Sequence, residues 1–140
     1  MSAAVARRSS ASRLSAGERG LAVVMASEAA TLAVFAALHL SGALKPGSSA
    51  SNGNAAGFAE AIICLVLVLG LRAFVRSPAR GRLAALGAIV FAILGFIVGL
   101  TITARGGAPI DLIYHATMFP VLIVTGLMLG RGVGSAALRR

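Results

Sequence analysis

Hydrophobic residues fall into four long runs along the chain, separated by short stretches rich in Gly, Ser, Asn and Arg. The runs cover residues 20–40, 55–74, 83–102 and 110–129. Each is close to the roughly 20 residues that a helix needs to cross the hydrocarbon core of a bilayer. Lys45-Pro46-Gly47 marks a turn in the first connection, and RSPARGR and ARGGAPI form the other two. This pattern predicts an all-α, integral membrane four-helix bundle with antiparallel neighbours and short loops.

The same runs divide the chain into three parts. Residues 20–130 form the predicted four-helix domain. Residues 1–19 are rich in Ala, Ser and Arg, a composition that predicts a disordered basic tail. Residues 131–140 are predicted to form a second basic tail.

Composition supports a lipid environment. Hydrophobic residues make up 58% of the 140 residues, charged residues 12%, and the mean hydropathy is +0.92. A soluble domain carries about twice that charged fraction. The net charge of +9 raises the alternative of a nucleic-acid binder. The basic residues fall between hydrophobic runs and Trp is absent, so we exclude nucleic acid as a partner. The single cysteine, Cys64, excludes an intrachain disulfide.

The distribution of basic residues predicts the orientation in the membrane, because Lys and Arg concentrate in cytoplasmic loops. Only Lys45 and Arg105 fall on one side of the four runs. The other side holds Arg7, Arg8, Arg13, Arg19, Arg72, Arg76, Arg80, Arg82, Arg131, Arg139 and Arg140. Both termini are therefore expected in the cytoplasm, with the protein in the plasma (inner) membrane. The alternative, a signal peptide cleaved near Ser41-Gly42-Ala43, is disfavoured because the apolar run exceeds the usual length of about 7–15 residues.

Small residues in the third run indicate close helix packing. Gly95 and Gly99 form a GxxxG motif, and Ala84, Ala88 and Ala92 repeat at the same spacing. Such a face serves either ordinary packing within the bundle, which we favour, or a dedicated dimer contact. In the fourth run, Pro120 frees the carbonyl of Ala116, and we expect a kink there with Thr117 bonding the freed group.

Ionisable residues inside the hydrophobic runs are the candidate functional residues, since such residues are rare in membrane helices. They are Glu28, His39, Glu60, Asp111 and His115. All except Glu28 lie within roughly 8 Å of the predicted outer boundary, at 1.5 Å per residue. Two imidazoles and two carboxylates suit Zn²⁺ or a non-haem iron or manganese ion. We therefore predict a metal site of His39, Glu60, Asp111 and His115, with Tyr114, Cys64 and Met118 around it.

A second version of the site uses His39 and His115 as the axial ligands of a b-type haem. Each residue also has a simpler interpretation. Asp111 can cap the start of its own helix, and His39 can extend to the membrane interface. A single interhelical hydrogen bond between Glu60 and His115 that holds the bundle together is the simpler account, which we favour over a metal or haem site.

Glu28 lies deeper, almost three helical turns from His39 on the same face. A deep acid can act as a proton relay in a carrier. The plan of four spans with an acid in the first resembles the small multidrug resistance transporters. The resemblance covers that plan alone, because this chain lacks Trp and has a longer first loop and additional histidines. An oligomeric proton-coupled carrier and a non-catalytic subunit of a membrane complex are thus the alternative functions. An enzyme is the least favoured function, because no phosphate loop or activated nucleophile is present.

Overall fold

The computed structural model describes residues 14–44 and 53–137, which form four α-helices. They are α1 (Ala16–Leu40), α2 (Gly53–Arg76), α3 (Pro78–Thr103) and α4 (Pro109–Ala137). Each contains a segment long and apolar enough to cross a membrane, so the prediction of four membrane-length helices is confirmed. Residues 1–13, the turn at Lys45-Pro46-Gly47 and residues 138–140 lie outside the described residues.

Two helices are longer than predicted. α1 begins at Ala16 because Ser15 and Glu18 form a capping box, in which each side chain accepts from the other's backbone N–H. Residues 16–19, predicted as part of a disordered tail, are therefore helical. α4 continues to Ala137, past the predicted boundary at residue 130. Glycines after Leu129 weaken a helix by about 1 kcal/mol each without ending it.

Consecutive helices pack against one another, and α1 also contacts α4. One end groups the end of α1 with the start of α2 and the start of α4, through contacts of His39 with Glu60 and Asp111. We call this the His39 end. At the opposite end, which we call the Arg82 end, Arg82 at the start of α3 bonds Glu18 at the start of α1 over 3.4 Å.

Large apolar side chains cover much of the outside of the helices. Val23, Phe58 and Leu83 are more than 60% exposed. In contrast, the ionisable side chains Glu28, His39, Glu60, Asp111 and His115 are all buried. A soluble protein shows the reverse arrangement, since it buries apolar groups and exposes charged ones. An apolar exterior with the ionisable side chains enclosed between the helices suits a membrane-embedded protein.

The GxxxG glycines of α3 make contacts inside this chain. A Cβ at Gly95 would collide with the side chain of Ile63 on α2, and a Cβ at Gly99 would collide with Nε2 of His115 on α4. Both glycines therefore allow neighbouring helices of one molecule to approach closely, as the interpretation of ordinary packing requires.

α4 runs through Pro120 as one helix. The hydroxyl of Thr117 donates to the carbonyls of Ile113 and Tyr114, at 2.8 and 3.0 Å. The prediction that Thr117 bonds the Ala116 carbonyl is therefore wrong. The threonine hydroxyl bonds back to the turn before it, as is usual for this residue inside a helix.

Candidate metal centre

His39 lies at the centre of a buried network that joins three helices. Its Nδ1 is 2.8 Å from Oε2 of Glu60 on α2, and its Nε2 is 3.1 Å from Oδ2 of Asp111 on α4. All three side chains are buried. One ligand atom from each lies within 4.8 Å of the other two. This grouping is compact enough for the three residues to hold one ion.

Two of the three residues lie in the terminal turns of their helices. His39 is in the last turn of α1, and Asp111 is in the first turn of α4. Glu60 lies about two turns into α2, on the same side as Gly57. A Cβ at Gly57 would come within 2.7 Å of Cγ of Leu40 and 3.1 Å of Cβ of His39. This glycine therefore lets α2 approach α1 closely enough for Glu60 to reach the imidazole.

The network differs from the simpler interpretations of these residues. His39 is only 4% exposed, so it does not extend to an interface. Glu60 bonds His39, and the prediction of a Glu60–His115 hydrogen bond is wrong. The Asp111 carboxylate bonds His39 through Oδ2, while Oδ1 is buried and has no hydrogen-bond partner in the described part of the chain. Among the described residues, this carboxylate therefore makes no capping hydrogen bond to an N–H group of its own helix.

His115 lies beside this network but outside the three-residue group. Its Nδ1 is 2.8 Å from the backbone oxygen of Asp111 and donates a hydrogen bond to it. The ring packs 5.1 Å from the rings of both Phe96 and Tyr114, and its Nε2 lies against Gly99. In the neutral ring, Nε2 is then the acceptor nitrogen. His115 lines the same cavity as the other three side chains.

The residues predicted around the site have different roles. Tyr114 stacks on Phe35 of α1 at 3.6 Å between ring centroids, and its buried hydroxyl has no hydrogen-bond partner among residues 14–44 and 53–137. The thiol of Cys64 donates to the carbonyl of Ala29 over 3.2 Å. Met118 is half-buried against the apolar core. The structure places neither sulfur in the His39 cluster.

Glu28 lies apart from the cluster, deep between α1 and α4. It is 1% exposed, and the hydroxyl of Thr125 donates to its Oε1 over 2.7 Å. Its Oε2 has no hydrogen-bond partner within the described ranges. Thr125 was missed in the sequence, where a threonine in an apolar run is too common to be informative. Its position in the inner half of the fourth run, on the same side of the membrane midplane as Glu28, was the available signal.

A cavity of about 710 Å³ adjoins the His39 cluster. Its polar wall consists of His39, Glu60, Thr103, Asp111 and His115. Small or apolar residues of α2 and α3 form most of the rest. Within the described chain, no Lys or Arg lines the cavity. Two carboxylates face a single imidazole of the network, so the site is suited to a cation or to a group that donates hydrogen bonds.

Comparison with protein-family models, with curated proteins and with solved structures finds no match to this chain. The geometry of the cluster and its cavity is therefore the basis for a functional assignment.

Proposed function

We propose that this chain is a multi-pass membrane protein that binds a divalent transition-metal ion in the outer half of its helix bundle. The observation that carries this proposal is the grouping of His39, Glu60 and Asp111 from three helices, with their ligand atoms within 4.8 Å. Imidazole and carboxylate are ligands of Zn²⁺, Fe²⁺ and Mn²⁺, and a second carboxylate that orients the imidazole is common at such sites.

The unpaired Oδ1 of Asp111 supports an additional positive group in the site. A buried carboxylate oxygen without a hydrogen-bond donor is costly, and a bound cation would remove that cost. No basic side chain of the described residues lines the cavity to perform this role.

The two nitrogens of His39 have different roles in this proposal, because a nitrogen that binds a metal cannot also hold a hydrogen bond. The Nε2–Asp111 contact is the longer of the two, at 3.1 Å, and Asp111 has the unpaired oxygen. We assign the ion to Nε2 and Asp111. Nδ1 then donates to Glu60, in the carboxylate–histidine–metal arrangement that orients many metal-binding imidazoles. His115 lines the same cavity, but it lies outside the three-residue group and its Nε2 packs against Gly99.

These contacts favour an ion over a b-type haem. Both ring nitrogens of His39 contact carboxylates. A haem iron would require His39 and His115 on opposite faces of a macrocycle. An absorption spectrum without a Soret band is therefore the expected result for the purified protein.

The described arginines support an orientation with the His39 end outside. Arg105 lies in the connection between α3 and α4, at the His39 end. The Arg82 end holds Arg19, Arg72, Arg76, Arg80, Arg82 and Arg131. Basic residues remain preferentially in the cytoplasm. We infer that both termini are cytoplasmic and that the site faces the outside of the plasma membrane.

The test is the metal content of the full-length protein, purified in mild detergent without chelator and measured by elemental analysis and Zn²⁺ or Mn²⁺ titration. We expect stoichiometric metal in the wild type and none in His39→Ala or Asp111→Asn. Glu60→Gln should weaken binding by about 10–100-fold, as for other residues that orient a ligand.

Glu28→Gln is the matched control, because it removes an equally buried carboxylate outside the cluster. It should retain the wild-type metal content. Metal-free wild-type protein that also fails to bind added Zn²⁺, Fe²⁺ and Mn²⁺ would show that the network serves only to hold helices together.

A further inference from the structure

A second cavity, of about 540 Å³, lies between α1 and α4 towards the Arg82 end. We call it the α1–α4 groove. Its lining is mostly apolar and includes Gly17, Gly20 and Val24 on α1 and Pro120, Val124 and Met128 on α4. Val124 and Met128 are at least half exposed on the outside of the helices. In a membrane-embedded protein the groove is therefore open to the lipid.

The two glycines of α1 leave space in this groove. A Cβ at Gly17 or Gly20 would meet nothing within 4 Å beyond its own helical turn. Gly57, Gly95 and Gly99 differ, because a Cβ at any of them would collide with a neighbouring helix. Close packing of helices therefore does not explain Gly17 and Gly20, which leave room for a group from outside the chain.

The groove is about as deep as the apolar part of one leaflet. From Pro120 to Met128 it extends about 12 Å, at 1.5 Å per residue. One leaflet contributes about 15 Å, half of the hydrocarbon core. Thr125 also lines the groove, but its hydroxyl donates to Glu28. A hydrocarbon chain lying along the helices would gain packing contacts in such a space, whereas a polar molecule would lack partners there.

Positively charged groups lie where the groove reaches the Arg82 end. Arg82 extends there from α3: its Nη2 donates to Oε1 of Glu18 on α1, and its Nη1 lies against Gly132 on α4. Gly132 is one helical turn beyond Met128 and shares its face of α4. Arg131, the residue before Gly132, is exposed. Both arginines lie just outside the hydrophobic runs, at the depth of lipid head groups.

The charge of the whole Arg82 end is positive. Among residues 14–44 and 53–137, this end holds six arginines and one acid, Glu18. Glu18 pairs with Arg82, so the acid offsets only one of these charges. Basic pockets between transmembrane helices bind anionic lipid head groups, and each Lys or Arg near the surface adds to the attraction.

We propose that the α1–α4 groove binds one anionic phospholipid. Its phosphate contacts Arg82 and Arg131, and one of its acyl chains fills the space beside Gly17 and Gly20. The arginines select a lipid with net negative charge over a zwitterionic one, and the groove selects a lipid over free phosphate. The site is separate from the His39 cluster and does not depend on a metal ion.

The test is a lipid titration of the full-length protein in neutral detergent, followed by native mass spectrometry. The probes are phosphatidylglycerol, phosphatidylcholine with the same acyl chains, and glycerol 3-phosphate, which has no acyl chain. We expect one phosphatidylglycerol to bind about tenfold more tightly than phosphatidylcholine, and glycerol 3-phosphate not to be retained. Equal affinity for the two lipids, or equal affinity for phosphatidylglycerol and glycerol 3-phosphate, would overturn the proposal.

Arg131→Gln and Arg76→Gln separate a local site from general attraction to a basic surface. Each removes one exposed positive charge from the same end, but Arg76 lies on α2, which does not line the groove. We expect Arg131→Gln to weaken phosphatidylglycerol binding about fivefold and Arg76→Gln to leave it nearly unchanged. Equal losses in the two variants would contradict a site in the groove.

Gly20→Leu fills the groove, and Gly87→Leu is its matched control. A Cβ at Gly87 also meets nothing within 4 Å, and this exposed residue of α3 lies outside the groove. Both variants retain every arginine. We expect Gly20→Leu to weaken phosphatidylglycerol binding about tenfold and Gly87→Leu to leave it unchanged. Unchanged binding in Gly20→Leu would show that the acyl chain does not occupy the groove.

The same spectra test a second copy of the chain as the occupant. A lipid-free dimer that is lost in Gly20→Leu and retained in Gly87→Leu would overturn the lipid proposal, whereas a lipid-bound monomer supports it. If a variant fails to fold, the comparison of phosphatidylglycerol with phosphatidylcholine on the wild type decides the outcome.

Discussion

At each end of the helix bundle, one basic side chain, His39 or Arg82, links different helices, but the two side chains lie in different environments. His39 is 4% exposed and contacts two carboxylates from α2 and α4. The Arg82 side chain is 18% exposed; it bonds Glu18 on α1 and lies 5.4 Å from the Phe74 ring on α2. Both residues hold helices together. The His39 end combines a cavity with an unpaired buried acceptor, Oδ1 of Asp111.

This difference shows why the His39 end is the candidate metal site. At the Arg82 end, one arginine pairs with one glutamate and remains partly in contact with the polar surroundings. At the His39 end, two buried carboxylates share one imidazole, so the network has an excess of acceptors. Excess buried acceptors are costly without a cation or a donor. The His39 end is therefore the place where a cation or a donor would bring stabilisation.

The largest expected effect is that of His39→Ala. It removes the imidazole that bonds both carboxylates and leaves Glu60 and Asp111 buried together. Breaking a buried pair from one side costs about 3–5 kcal/mol. Thermal or denaturant unfolding in detergent would measure the loss.

His115→Ala is the control for this loss of stability. His115 is equally buried, but its Nδ1 donates to a backbone oxygen of its own helix. It should cost no more than about 1–2 kcal/mol in the absence of metal. Equal losses for the two histidine variants would contradict a central role for His39.

A smaller loss of stability is expected from the hydrogen bond between Thr125 and Glu28, which lies along the helices between the two ends of the bundle. Thr125→Val retains the shape of the side chain and removes the donor to Oε1. Hydrogen bonds inside membrane proteins contribute about 0.6 kcal/mol on average and at most about 1.7. We expect a loss of about 1–2 kcal/mol, because Glu28 would have neither oxygen paired within the described chain. An unchanged midpoint of unfolding would show that the Thr125–Glu28 hydrogen bond does not contribute to the stability of the fold.

The helices could be predicted from the sequence because each hydrophobic run has the length needed to cross a bilayer. That length does not depend on how the helix packs against its neighbours. The start of α1 was missed by four residues because the capping signal of Ser15 and Glu18 is local and polar. The sequence also singled out His39, Glu60 and Asp111 as candidates, since an ionisable side chain in an apolar run is rare, and the structure brings these three together.

The partners of these side chains could not be predicted in the same way. Depth along a helix is readable from the sequence, but rotation about its axis is weakly specified when a helix is apolar on all sides. Glu60 was therefore paired with His115 instead of His39. Glu60 reaches His39 because α2 lies close to α1. Gly57 allows this close packing, since a side chain there would collide with α1. Its position three residues before Glu60 was the signal for that close approach.

The smallest expected effect is at the Arg82 end. Arg82→Gln removes the ion pair with Glu18, whose atoms are 3.4 Å apart and partly exposed. Exposed ion pairs contribute about 0.2–1 kcal/mol and weaken as salt rises. We expect a loss of at most about 1 kcal/mol, smaller still at high ionic strength, whereas the loss in His39→Ala should be nearly independent of salt. Unfolding midpoints at low and high salt would measure the stability loss of each variant. A salt-independent loss in Arg82→Gln would indicate that Arg82 contributes mainly by packing on Phe74 and not through its ion pair.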